Sequence, residues 1–243
     1  MGGQRNPKSV AGIRNPQPQP DMFRSRDCLA LLLPAALATG GCSQAPYFVA
    51  KDEPWRQDEE RACLATGVVR ESPFVAVRDS LGGPSTCGAL RPFAVAAAAE
   101  GVVQLRPAAL LGCPMVPAID RWVERVVMPA SLHHLGVRVV ELRVAASYAC
   151  RPMNNADGAG LSEHGHANAI DISGFVVADG RVVDVKSGWW GALAERNFLR
   201  EVHRGACGLF TTVLGPAYDL NHRDHFHLDL ARHGRDGDGR ICK

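Results

Sequence analysis

The sequence predicts an α+β domain, with a small antiparallel sheet flanked by helices and three disulfides to hold it. Three observations lead there. Apolar residues recur at helical spacing in two places: Ile119, Trp122, Val123, Val126 and Val127, then Phe198, Leu199 and Val202. Short β-branched or alternating runs, "VRVVELRVAASY" and "HFHLDL" among them, read as strands. Beyond the first 42 residues, Cys63, Cys87, Cys113, Cys150, Cys207 and Cys242 form an even, widely spaced set without a C-x-x-C pair. Such a set suits a bridged, exported domain rather than a zinc ribbon, and its spacing leaves the pairing open.

Residues 1–21, rich in Pro, Gly, Gln and Arg, read as a disordered extension or as sequence upstream of a true start at Met22. Residues 22–42 have the layout of a secretory signal: basic Arg24 and Arg26, an apolar run from Cys28 to Ala38, and a small-residue exit, "ATGGC". That run is too short to span a bilayer, which takes about 20 residues. Cys42 after Gly40-Gly41 is a lipidation candidate that would anchor the chain in a membrane; ordinary cleavage nearby would release it. Either outcome puts the mature domain in the periplasm or cell envelope. A formal net charge of +2 on 243 residues gives no basis for nucleic-acid binding.

Residues 43–54 read as a tether and 55–243 as one domain without repeats. A helix is expected over 55–66, stopped by Gly67, then a loop through "DSLGGPSTCG". "GVVQLRP" (101–107) is a strand, and 117–134 a helix that Pro129 bends or shortens. A central strand over 137–148 leads into a Gly/Asn-rich loop. Residues 167–177 and 181–185 form a hairpin around Ala178-Asp179-Gly180. A helix over 189–205 and strands over 209–214 and 225–230 close the domain.

The chemistry concentrates in "LSEHGHANAIDI" and "HFHLDL". A His seven residues before an Asp arises by chance roughly 0.6 times in a chain of this composition. Two such pairs occur, His164…Asp171 and His222…Asp229. Spacing alone therefore decides nothing; context separates them. Alternation in "HFHLDL" sets His225, His227 and Asp229 on one strand face and Phe226, Leu228 and Leu230 on the other. Asp171 starts a strand just after the turn carrying His164. Two imidazoles and a carboxylate are a catalytic zinc set, and His164, Asp171 and one histidine of the later strand would supply it.

"SEHGHANAID" resembles the S-x-H-x-x-G-x-A-x-D signature of zinc D-alanyl-D-alanine carboxypeptidases and murein endopeptidases, whose superfamily includes the hedgehog signalling domain. Ser162, His164, Ala169 and Asp171 match; Ala167 stands where the signature has Gly. With "SYACRP" and "HRDHFHLD", residues 55–243 resemble the bacterial extensin-like C-terminal domain family more closely. The resemblance implies a hedgehog/D-Ala-D-Ala-peptidase-like fold, with zinc held by His164, Asp171 and His227. It makes Asp224 the general base, with His225 as the alternative, and gives Arg151 the transition-state oxyanion. Ser162 orients His164 or touches substrate. Asp224 is one methylene shorter than the catalytic Glu that the carboxypeptidases place three residues before the last ligand, and Ala149-Cys150 is an insertion before Arg151.

The implied activity is zinc-assisted hydrolysis of an amide in peptidoglycan peptides, by a carboxypeptidase or a cross-link endopeptidase. The rival readings are a non-catalytic wall-binding module that keeps the zinc cleft, and an envelope lipoprotein whose histidines meet no metal. His166 is set aside as a ligand because the third place is filled. His222 and Asp229 are expected at the rim and behind the ligands. His133, His134 and His203 lie near helix ends. Trp189-Trp190 is expected as a buried helix start, and "RDGDGR" lacks the closing Glu of a calcium loop.

Overall fold

The computed structural model describes residues 47–83 and 85–243. The expectations for the leader and for Cys42 lie outside the described residues. Part of the expected tether is described, and it is not free. Tyr47 N–H donates to the Asp157 carboxylate, and Val49 exchanges backbone hydrogen bonds with Ala159 and Leu161.

The strands are β1 (Val75–Val77), β2 (Leu81–Gly82), β3 (Gly88–Ala89), β4 (Phe93–Ala98), β5 (Val103–Leu111), β6 (Val139–Ala146), β7 (Ala169–Val177), β8 (Val182–Asp184), β9 (Thr212–Leu214), β10 (Phe226–Asp229) and β11 (Ile241–Cys242). Nine of them make one sheet in the order β1-β4-β5-β6-β7-β10-β9-β11, with β8 paired to β7. The helices are α1 (Trp55–Thr66), α2 (Met115–Trp122), α3 (Met128–Leu135), α4 (Val185–Gly188) and α5 (Leu193–Ala206). The α+β class holds, but the sheet is larger than expected and mixed. β5 pairs β6 in parallel, and β11 pairs β9 in parallel. The first parallel pair follows from the intervening helices, because a crossover returns the chain in the same direction.

Several elements depart from expectation for local reasons. The loop before Cys87 contains the short β2–β3 hairpin. β5 runs through Pro107 to Leu111. Its pairing with β6 ends at Arg106, and an irregularity in the β4 pairing lies opposite, so Pro107 sits where no ladder donor is needed. Pro129 neither ends nor shortens its helix. A π turn over Val123–Val127 joins α2 to α3, widening the coil where proline offers no N–H. α1 ends as expected, with Gly67 in the left-handed region at φ 62°.

Helices α2 to α5 give their buried apolar residues to one core with the sheet, and α1 contributes only the partly buried Cys63 and Leu64. Trp122 packs edge-on against Phe175 and Phe210, and its indole N–H donates to Val202 O at 3.0 Å. Phe198 from α5 meets Phe175 at 5.1 Å between ring centroids. Ile170, Ile172 and Phe175 of β7, with Phe226 and Leu228 of β10, belong to this core. Strand alternation therefore turns Asp171, His227 and Asp229 to the opposite face.

All six expected cysteines are bridged, as Cys63–Cys113, Cys87–Cys150 and Cys207–Cys242. The first ties α1 to the segment before α2, and the third ties the end of α5 to β11. The second joins the β2–β3 hairpin to the residue before Arg151.

Candidate metal centre

Register builds the floor of the site. β10 pairs β7 antiparallel with His227 opposite Asp171, so both side chains leave the sheet side by side on the face opposite the core. His227 Nδ1 lies 2.9 Å from Asp171 Oδ1. The third member comes from the 3₁₀ turn Glu163–His166. Ser162 caps that turn, its hydroxyl accepting the His164 N–H at 3.4 Å. Ala167 ends it at φ 52°. His164 Nε2 then lies 3.1 Å from Asp171 Oδ2 and 3.3 Å from His227 Nδ1. The three donor atoms all fall within 4.8 Å of one another, and all three residues are buried.

The outward edges of both rings are tied. His164 Nδ1 faces the Ser147 carbonyl at 2.5 Å, and His227 Nε2 faces Asp229 Oδ2 at 2.8 Å. Asp229 is itself held by the Ala231 N–H at 2.9 Å. A proton on each outward nitrogen leaves His164 Nε2 and His227 Nδ1 with lone pairs aimed at Asp171, the arrangement found behind metal-ligating histidines. The donor set therefore fits a divalent cation of zinc type.

Electrostatics agree with that fit. Burial pushes the Asp171 carboxyl up, but hydrogen bonds and charge from His164 and His227 outweigh it and hold it far below the usual carboxylate range. Burial pushes His227 down, yet Asp171 and Asp229 raise it to about 9. Without a metal, that raised pKa keeps His227 protonated on both nitrogens, and a cation held at Nδ1 would displace one of those protons.

A cleft of about 560 Å³ opens over the triad, lined by Arg151, Ser162, Tyr218, Asn221, His222 and His225 among others. The sequence model of the extensin-like protein C-terminus family matches residues 61–243. The chain belongs to this family. No curated protein and no solved structure matches it.

In this extensin-like domain the remaining expected site residues are placed as follows. His225 joins the triad's edge, with Nε2 at 3.7 Å from Asp171 Oδ1 and Nδ1 at 2.9 Å from Asp224 Oδ1. Asp224 itself stays 59 % exposed and is not among the residues lining the cleft. Arg151 lines the cleft, with Nη1 donating to Pro152 O at 3.4 Å. His166 lies in the cleft wall outside the triad, and burial, then the Arg56 charge, lowers its pKa. His222 also stands outside the triad, its ring 5.9 Å from that of His227. Burial lowers its pKa against the pull of Asp219. His203 is buried beside Trp189 and Phe226, and Trp190 is exposed where a buried pair was expected. His203, Cys207 and Cys242 also cluster, but the two cysteines are spent in a disulfide.

Sequence reasoning missed what holds the His164 turn from behind. Glu163 receives a two-pronged bond from Arg56 of α1, whose Nη1 lies 2.7 Å from Oε2, and Asn168 Nδ2 donates to the same oxygen at 2.7 Å. Glu53 binds the Arg56 Nε at 2.7 Å. Asp219, which takes His222 Nδ1 at 2.7 Å, was missed as well. Its three-residue spacing to a histidine was the signal available.

Proposed function

We propose that this extensin-like domain is an exported zinc metallopeptidase that hydrolyses an amide bond in peptidoglycan peptides. The observation that carries the reading is the convergence of His164 Nε2, Asp171 and His227 Nδ1 beneath an open cleft, with both outward ring nitrogens tied. A zinc ion, when bound there, supplies Lewis acidity to a carbonyl and to a water. His225 is the group best placed to take a proton, since its Nε2 borders Asp171 while Asp224 fixes its Nδ1. Asp224, facing solvent, acts through His225 rather than on substrate. Arg151, on the cleft wall, is the donor for developing negative charge. Ser162 sets the His164 turn. Export, and anchoring through Cys42, belong to the same proposal and rest on the leader.

The test uses zinc-loaded protein and purified muropeptides, separated by chromatography before and after incubation. Loss of a D-Ala or splitting of a cross-link is expected in the wild type. His225→Ala should lower turnover by roughly 10²–10⁴-fold with zinc retained, and Asp224→Ala by less. A larger loss from Asp224→Ala than from His225→Ala would return the base to the acid. Binding to sacculi without any product would favour the wall-binding module, the reading that the exposed Asp224 keeps open.

A further inference from the structure

Four cleft histidines each have a ring nitrogen tied to a carbonyl or carboxylate oxygen that lies outside the triad: His164 to the Ser147 carbonyl, His227 to Asp229, His225 to Asp224 and His222 to Asp219. Three of them have uses in the preceding account. The free nitrogens of His164 and His227 meet Asp171, and that of His225 borders it. His222 is left over. Its ring lies 5.3 Å from His225 and 5.7 Å from Tyr218 between centroids, outside the donor group.

The ring is fixed with unusual thoroughness for a bystander. Asp219 Oδ1 takes Nδ1 at 2.7 Å and accepts the backbone N–H of Asn221 at 2.8 Å and of His222 at 3.1 Å. A proton on Nδ1, facing that carboxylate, leaves Nε2 bare. His222 is 7 % exposed and lines the cleft, and among the described residues its Nε2 has no protein partner and opens to the cleft. An acceptor at the cleft surface can exchange its water for a peptide N–H, and a peptide in the cleft offers one at every residue.

We propose that His222, positioned by Asp219, is a substrate-binding residue whose Nε2 accepts a hydrogen bond from a peptide N–H beside the scissile bond. The proposal rests on the peptidase reading for its substrate class, and its test is chosen to fail separately.

Zinc-loaded wild type, His222→Phe and His222→Gln are compared on two probes, a disaccharide-pentapeptide and its cross-linked dimer. His222→Phe should raise KM about tenfold, the loss of one hydrogen bond to substrate, with kcat within about threefold. Zinc content and Tm should not move. His222→Gln, which restores an acceptor, should recover most of the loss. Unchanged KM in His222→Phe overturns the proposal, and so does a Gln variant no better than Phe. A fall in zinc equivalents overturns it too, by making His222 a ligand. If the wild type binds without turnover, the peptidase reading fails, and Kd from calorimetry replaces KM with the same tenfold expectation. A wild type that neither binds nor cleaves either probe overturns both.

Discussion

His164…Asp171 and His222…Asp229 have the same spacing and opposite fates. The first pair puts both side chains into the donor group, 3.1 Å apart. The second pair brackets His227 from outside, Asp229 holding its Nε2 at 2.8 Å and His222 standing 5.9 Å from its ring. The difference lies in what precedes each Asp. His164 rides a capped 3₁₀ turn that folds it back over the strand start at Asp171. Asp229 lies on the strand that contributes His227, two residues along the same face, so it reaches His227 before anything else. Spacing places two residues along a chain; register and turn geometry decide whether their donor atoms meet.

Two changes sharpen that contrast. The larger is Asp229→Ala. Removing the carboxylate behind His227 should weaken zinc affinity roughly 10–100-fold while leaving about one equivalent bound at saturation, because an outer partner tunes a ligand without replacing it. A competition titration against a chelator reads this directly. An affinity equal to the wild type would reduce Asp229 to strand packing.

The smaller concerns the turn beneath His164. Ala167 sits at φ 52°, a conformation that favours glycine, and the peptidase signature has Gly at that place. Ala167→Gly should relieve strain and raise stability by about 1 kcal/mol, less the entropy that glycine adds to the unfolded chain. Urea unfolding of zinc-loaded protein measures it. A loss of stability would mean that the buried methyl packs better than its backbone suffers.

Much of the fold is legible in the sequence where an element is long enough to show its period. α1, β6 and the β7–β8 hairpin fall where periodicity places them, and α5 starts at Leu193 rather than at 189. The extent of the sheet is not, because β1 and β11 have only three and two residues and show no alternation. Pro107 misleads for a related reason. A proline excludes a residue from a regular ladder, but the irregularity that tolerates it is a property of the partner strand. For the site, residue types and context suggested a metal set, and family resemblance named the third ligand. What orients the ligands was hidden. The Ser147 acceptor is a main-chain carbonyl that any residue could supply, and Arg56 lies 107 positions from Glu163. Asp224 shows what a motif leaves out: the position matches, and its carboxylate faces solvent beside His225.

The central claim is that His164, Asp171 and His227 form one cation site, and metal content tests it most directly. Protein purified under oxidising conditions and loaded with zinc should carry about one tightly held equivalent per chain, through three protein donors. His166→Ala and His222→Ala should keep that equivalent, and His164→Ala, Asp171→Ala and His227→Ala should each lose most of it. A wild type that holds no zinc, or a His166→Ala variant that loses zinc while His164→Ala retains it, would contradict the account.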